Sequence, residues 1–273
     1  MILNQLLIEI EQSSENTDAL QKELKAIIKL ESKREENLAK IKTDLKKLDR
    51  LLTLADEGSA LRSKAIQVLE DYKADLDKTE AANKQRFGLE LSDAIKPLGL
   101  HLKGHWPTLM AGLFTIKLNS DKAQAVLWYG NEQEKLDSHP IDAMKVAQSI
   151  ENALNNLGAG LDEESFIFKL RQAYSRAKDT DHTFVPINQV LPELAYLVQG
   201  EHFYQDPVKK NYRNYSRADF SYDLFKFGRG NHSEGLQLKV AVRQYTQKRQ
   251  DFLWIPNNNQ GEGTAYSHLQ FKD

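Results

Sequence analysis

The chain has 273 residues, 28% of them charged, a formal net charge of −2 and no cysteine. Without cysteine it forms neither disulfides nor cysteine-ligated metal sites, which suits a reducing compartment. Its start lacks the basic region of a signal peptide and no apolar stretch has the length of a membrane span, so we expect a cytoplasmic protein without membrane contact.

The first predicted elements are helices. A short amphipathic helix contains Leu3, Leu6, Leu7 and Ile10. Apolar residues then recur at alternating spacings of three and four, the pattern of a coiled-coil seam. The seam consists of Leu20, Leu24, Ile27, Leu38, Ile41, Leu45, Leu48 and Leu52. If residues 20–54 form one helix, it is roughly 50 Å long, which is more than its own globular domain needs.

Two polar residues interrupt the seam. Glu31 and Arg34 occupy positions where the pattern requires apolar residues, so the helix is either locally loose there or meets a polar partner. A reversal is predicted at Gly58, because glycine readily adopts the left-handed conformation that closes a helix. A second helix follows and fades near Gly88. Residues 1–87 are therefore predicted to form an antiparallel helical coiled-coil hairpin.

This hairpin has two interpretations. It either folds back on the body of the protein or projects as an arm that self-associates or binds a protein partner. We prefer the arm because of its length. The predicted partner-binding residues of the arm are Leu38, Ile41, Leu45 and Leu48.

Residues 88–160 are predicted to form a small α+β domain. Apolar and polar residues alternate over 112–118 and 123–129, on both sides of a polar turn at 119–122, and this is the pattern of an antiparallel hairpin. A further short strand is predicted at 100–102. A helix over 141–157 follows Pro140.

Residues 161–273 are predicted to form a winged-helix-like domain, which makes the whole chain α+β. The order of elements is helix, strand, helix, helix, strand, basic loop, strand, and this order is typical of a winged helix. The predicted elements are helix 164–177, strand 183–187, helix 190–198, helix 216–227, strand 236–242, loop 243–250 and strand 252–256. Ser216 is the predicted N-cap of the third helix, with Asp219 completing a capping box.

Positive charge is concentrated in this last part of the chain. Residues 201–250 contain ten Lys or Arg against five Asp or Glu. In a winged helix that binds double-stranded DNA, helix 216–227 would enter the major groove and loop 243–250 would be the wing. The candidate phosphate-binding residues are Lys209, Lys210, Arg213, Arg217, Arg243, Lys248 and Arg249.

Helix 216–227 also supports a different interpretation. If Phe220, Leu224 and Phe227 point into the core, Tyr222 and Phe225 lie on the outward face. Exposed aromatic residues suit a protein partner at least as well as base edges. The alternatives are therefore DNA binding, protein docking through Tyr222 and Phe225, and ordinary surface charge.

No catalytic signature is complete. A restriction-type nuclease site needs an acid-x-Lys unit on a strand, but Gln237 stands where the acid should precede Lys239. No Ser, Cys or His triad can be assigned. We therefore expect no catalytic residues, no metal and no cofactor.

The stretch Tyr215–Leu224, followed by Asp251–Pro256, resembles a group of bacterial proteins that combine a coiled coil with a winged-helix-like end. These proteins are associated with mobile defence loci that encode SMC-like ATPases or nucleases. The resemblance implies a non-enzymatic accessory subunit of such a complex, acting in antiphage or anti-plasmid defence, and it assigns no functional residue. The alternatives are a DNA-processing nuclease and a stand-alone winged-helix transcription regulator.

Overall fold

The computed structural model describes residues 2–12, 18–53, 60–179, 183–228, 230–231 and 233–272. They form a mixed α+β fold. The chain divides into two compact units. The first comprises residues 1–91 and 119–124, and the second comprises residues 92–118 and 125–273. Most of the residues assigned above to a middle and a C-terminal domain thus belong to one unit.

Four helices account for most of the first unit. They are α1 (Ile2–Gln12), α2 (Asp18–Leu30), α3 (Arg34–Thr53) and α4 (Ala60–Ile95), with a 3-10 turn at Glu31–Lys33 between α2 and α3. In one straight helix, the Cα atoms of Glu23 and Lys47 would be roughly 36 Å apart. Instead, Lys47 Nζ lies 3.3 Å from Glu23 Oε1. The single helix predicted over 20–54 is therefore two helices, with α3 folded back on α2. The reversal predicted at Gly58 lies outside the described residues.

The heptad seam forms the interior of this unit. Its apolar side chains from α2 and α3 pack together with Leu3, Leu6 and Ile10 of α1 and with Leu69 and Leu76 of α4. Ile27 and Ile41 are completely buried. The apolar surface of the seam is thus buried by helices of the same chain.

The two polar residues of the seam meet polar partners, one of the two outcomes predicted for them. The Tyr72 hydroxyl donates a hydrogen bond to Glu31 Oε1. Arg34 Nη2 donates to Asp75 Oδ2 over 2.6 Å. Both partners lie on α4, so side-chain bonds join the 3-10 turn and the start of α3 to α4.

The first part of the second unit in chain order is a five-stranded antiparallel sheet. One turn of this sheet, residues 119–124, is assigned to the first unit. The strands, in sheet order, are β1 (Leu102–His105), β2 (Thr108–Ala111), β3 (Phe114–Asn119), β4 (Gln124–Tyr129) and β5 (Glu134–Pro140). β3 and β4 form the predicted hairpin, whose turn is closed by a 3.0 Å bond from Lys122 N to Asn119 Oδ1. β2 and β5 were not predicted.

Helices and a second sheet follow. The helices are α5 (Ala143–Asn156), α6 (Glu163–Ala177), α7 (Ile187–Leu197), α8 (Glu201–Gln205) and α9 (Arg217–Phe227). The strands are β6 (Val185–Pro186), β7 (Leu236–Val240), β8 (Leu253–Pro256) and β9 (Gly263–Phe271). The capping box predicted at the start of α9 is confirmed: Ser216 caps the helix and Asp219 completes the box.

The pairing in this sheet differs from the expected one. Strands 236–242 and 252–256 were predicted to be the two strands flanking a basic loop, but β7 and β8 do not pair with each other. Both pair antiparallel with β9, a strand that was not predicted, and β6 pairs with β9 as well. β9 is the centre of the sheet, with the order β6-β9-β7 and with β8 paired to the start of β9.

The two sheets of the second unit meet at Trp254. The Trp254 ring contacts the Tyr129 ring edge-on, with centroids 5.6 Å apart. A Cβ atom at Gly130 would lie 2.7 Å from the Trp254 ring, and one at Gly263 would lie 2.3 Å from it. Only glycine leaves room for the indole on both sides.

Among the helices of the described part of the chain, none is both long enough and apolar enough to cross a membrane.

Candidate functional site

Helix α9, the predicted major-groove helix, is enclosed by its own unit. Phe220 and Leu224 belong to the buried core formed by α6, α7 and the second sheet. On another side, the buried Ser221 hydroxyl donates to the Trp254 carbonyl oxygen and lies 3.2 Å from the Tyr129 hydroxyl. α9 is therefore packed against both sheets.

The acidic residues of α9 hold the segment that connects α5 to α6. Asp219 Oδ1 accepts a 2.9 Å bond from Gly158 N, and Asp223 Oδ2 accepts a 2.8 Å bond from Ala159 N. Arg213 donates to the carbonyl oxygens of the same two residues. Both peptide groups are thus fixed by side chains, and this face of α9 is covered as well.

These contacts leave little of α9 on the surface. Within the helix only Lys226 is exposed, whereas Tyr222 and Phe225 are partly buried and Phe225 packs against the core. The expectation that α9 presents an open face to a DNA groove, with Tyr222 and Phe225 available to a protein partner, does not agree with this packing. Local periodicity revealed the core face, but the other faces are covered by residues distant in sequence.

The seven basic candidates divide into two groups. Arg213 and Arg217 are used inside the unit: Arg213 holds the connection at Gly158, and Arg217 bonds to Glu134 and to two backbone carbonyl oxygens. Arg213 is exposed as well, but its guanidinium donates to the backbone of Gly158 and Ala159. Of the other five, all exposed, only Arg249 forms an ion pair within the described part of the chain. These five are Lys209, Lys210, Arg243, Lys248 and Arg249.

Three of the exposed cations lie in one stretch, residues 242–250, which we call the basic segment. It contains Arg243, Lys248 and Arg249 and no acidic residue. Every residue in it is exposed except Tyr245, whose ring packs 5.0 Å from the His268 ring. The basic segment therefore presents positive charge to solvent while remaining attached to β9.

One end of the basic segment is organised around Glu134, which is not among the predicted site residues. Arg217 Nε donates to Glu134 Oε1 over 2.6 Å, and Arg249 Nη2 donates to Glu134 Oε2. Arg217 Nη2 also donates to the backbone oxygen of Arg249 over 2.8 Å. Beside this network is an open depression of about 420 Å³, lined by Arg217, Lys248, Arg249 and Gln250.

A hydroxyl, a carboxylate and an imidazole meet at β5, but not in catalytic order. Ser149 Oγ and His139 Nε2 each lie 2.8 Å from the same atom, Asp137 Oδ2. In a nucleophilic triad the imidazole lies between the other two groups. Here the carboxylate lies between, so the imidazole is not placed to accept the serine proton. The described residues contain no group of three His, Asp or Glu side chains that could hold a metal.

The four predicted partner-binding residues of the seam lie on α3. Ile41, Leu45 and Leu48 are at most 2% exposed, and Leu38 is partly buried against the same core. Their apolar surface is covered by α1, α2 and α4, so it is not available to a second chain.

We therefore expect the full chain to be monomeric, with a mass of 31.2 kDa in size-exclusion chromatography with light scattering. Self-association through the seam would first require the helical core to open, which exposes buried leucine and isoleucine at roughly 1.5–3 kcal/mol per side chain. A dimer that dissociates when Leu38 is replaced by Glu would contradict this expectation. The exposed Leu89→Glu variant is the matched control.

No protein-family model matches the chain, and neither the comparison with curated proteins nor that with solved structures found a match.

Proposed function

We propose that the chain is a non-enzymatic accessory subunit that contacts double-stranded DNA through the basic segment. The single observation that carries this proposal is the exposed, acid-free stretch with Arg243, Lys248 and Arg249. Exposed cations without competing carboxylates are what phosphate contacts require, and such contacts supply most sequence-independent affinity for DNA.

The order of elements supports a winged-helix-like domain with a different wing from the one first predicted. α6, β6, α7, α9, β7 and β9 follow the winged-helix order, and β9 lies between β6 and β7. In this arrangement the wing is the whole connection 241–262, which contains the basic segment and β8. The wing would then make the phosphate contacts, while α9 supports it from inside.

This mode of binding favours an accessory role over a stand-alone regulator. Reading base edges requires several side chains from one element that enters a groove. α9 exposes only Lys226. Contacts from the basic segment position a protein on DNA without selecting a sequence, so target choice would come from partner proteins. Membership of an SMC-like or nuclease defence complex rests on the resemblance at 215–224 and 251–256.

Protein docking by the second unit is the other candidate. Around α8, the rings of Tyr196, Phe203, Tyr204 and Tyr212 lie 5.4–6.0 Å from their neighbours. The three tyrosines are 45–48% exposed. Tyrosine is enriched in protein interfaces, which favours this surface for a protein partner.

Replacing Arg243 and Lys248 with Ala tests the proposal. We expect binding of a short DNA duplex to weaken by roughly tenfold or more, and the slope of log affinity against log salt to flatten by up to about two, because each lost phosphate contact accounts for about one unit. Fluorescence anisotropy over a range of salt concentrations measures both.

The matched control replaces Lys135 and Lys145, two exposed lysines on β5 and α5, with Ala. This variant has the same net charge as the first one. Equal losses in both variants would mean that only net charge matters, and no duplex binding by the unmodified chain at low salt would reject the DNA function.

A further inference from the structure

The Glu134 carboxylate binds two guanidinium groups in the way that an oxyanion ligand would. Its two oxygens accept bonds from different arginines, Oε1 from Arg217 and Oε2 from Arg249. Arginine forks bind carboxylates and phosphates through the same donors, so one anion can replace the other without rearranging the cations.

The two halves of this network differ in exposure. The side chains of Glu134 and Arg217 are 18% and 19% exposed, and Arg217 is further held by the backbone oxygens of Arg249 and Phe252. The Arg249 side chain is 51% exposed. An incoming anion can therefore reach Arg249 while the Glu134–Arg217 pair stays in place.

The charges around the depression favour such an anion. Arg217, Lys248 and Arg249 bring three positive charges to its lining, and Glu134 offsets only one. Lys248 makes no ion pair with any carboxylate in the described part of the chain. Gln250 adds an amide that can donate a hydrogen bond.

We propose that this depression is a phosphate-binding site and that Glu134 is its built-in competitor, which a phosphate group displaces from Arg249. The site would engage the phosphate with Arg249, Lys248 and Gln250, while Arg217 retains Glu134. This inference deepens the proposed DNA contact, but it also applies to free phosphate.

The Glu134→Gln variant tests whether Glu134 competes with phosphate for Arg249. The amide keeps the shape of the side chain and can still accept a bond from Arg217, but it no longer holds Arg249 with a negative charge. We expect duplex affinity to rise about tenfold, and the salt dependence to steepen by up to about one unit because one more cation is free to neutralise a phosphate. In an Arg249→Ala background the same change should have little effect, since the two residues act as a pair.

A purely structural ion pair predicts the opposite result. Loss of the Glu134 charge would then loosen the basic segment, and affinity would fall or stay unchanged together with a lower melting temperature. Unchanged or weaker binding of both duplex and inorganic phosphate by the Glu134→Gln variant would overturn the proposal.

A second pair of variants tests the phosphate-binding site even if the Glu134→Gln variant does not fold. Gln250→Glu places another carboxylate in the depression, whereas Gln247→Glu makes the same charge change in the basic segment outside its lining. We expect about tenfold weaker phosphate binding for Gln250→Glu than for Gln247→Glu. Equal binding by the two variants would overturn the proposal.

Two ligands distinguish the source of the phosphate, and all variants are titrated with a short DNA duplex and with inorganic phosphate. Changes in duplex binding identify a backbone phosphodiester as the ligand. Changes in phosphate binding by a chain that does not bind duplex support the site while rejecting the DNA function. If the variants bind both ligands as the unmodified chain does, and the unmodified chain binds duplex, the phosphate site is rejected while the DNA function stands.

Discussion

Replacing Trp254 with Ala is expected to lower the free energy of unfolding of the second unit by about 3–5 kcal/mol, the usual cost of removing a buried aromatic side chain. The indole is 8% exposed and lies between Gly130 and Gly263. Its loss leaves a cavity that neither glycine can fill. The Tyr129 ring, which packs edge-on against Trp254, loses its partner as well.

Because Trp254 joins both sheets of the second unit, we also expect them to unfold together. Urea denaturation followed by circular dichroism gives the free energy, and hydrogen exchange resolves the two sheets separately. Both sheets should lose protection to the same extent. Phe168→Ala is the matched control, since Phe168 is a large aromatic residue of the same unit that is 61% exposed, and its replacement should cost little. Loss of protection confined to the second sheet would show that the sheets fold independently.

The second large effect is expected from pH, through the buried carboxyl group of Asp223. Burial raises the pKa of Asp223 from its ordinary value of 3.8 to about 6, and the neighbouring charge of Asp219 acts in the same direction. The hydrogen bonds from Ala159 N and the Tyr215 hydroxyl act against this rise, as does Lys226, but they do not cancel it.

The sign of the effect follows from proton binding. Between the unfolded pKa of 3.8 and the folded pKa of about 6, the folded chain binds more protons than the unfolded chain. Protonation of Asp223 therefore stabilises the fold as the pH falls through about 6, and this gain levels off below 3.8. A shift of about two pKa units corresponds to roughly 3 kcal/mol in total, of which about 2 kcal/mol falls between pH 7.5 and pH 4.5.

Asp223→Asn isolates this contribution. Total stability also depends on groups such as Asp137, whose pKa lies below its ordinary value because hydrogen bonds outweigh its burial. The informative quantity is the stability of the variant minus that of the unmodified chain. We expect this difference to decrease by about 2 kcal/mol from pH 7.5 to pH 4.5. Asp206→Asn, which removes an exposed carboxylate, is the control, and a difference that does not vary with pH would contradict the assignment.

Features that depend on neighbours in sequence were predictable. The Ser216–Asp219 capping box and the β3–β4 hairpin are as predicted, because both are set by residues within a few positions of each other. The polar interruption at Glu31 and Arg34 was also informative, since it coincides with the 3-10 turn between α2 and α3. The pattern did not reveal that the chain folds back at this turn.

Features that depend on distant residues were not predictable. The heptad seam is compatible with a partner chain or with helices of the same chain, and periodicity alone does not distinguish them. β9 was missed because its residues do not alternate clearly, although it is the central strand of its sheet. Glu134 precedes its partner Arg217 by 83 positions in the chain, and no local signal connects them. Only the assembled second unit brings these two residues together.

The connection at Gly158 and Ala159 has a consequence for where the second unit can be truncated. It lies where a boundary between two modules was predicted, yet its peptide groups are bonded to Arg213, Asp219 and Asp223. A fragment that began at residue 161 would keep Arg213, Asp219 and Asp223 but lose the four hydrogen bonds that these side chains make to the connection. A truncation meant to isolate the C-terminal elements should therefore begin before Gly158.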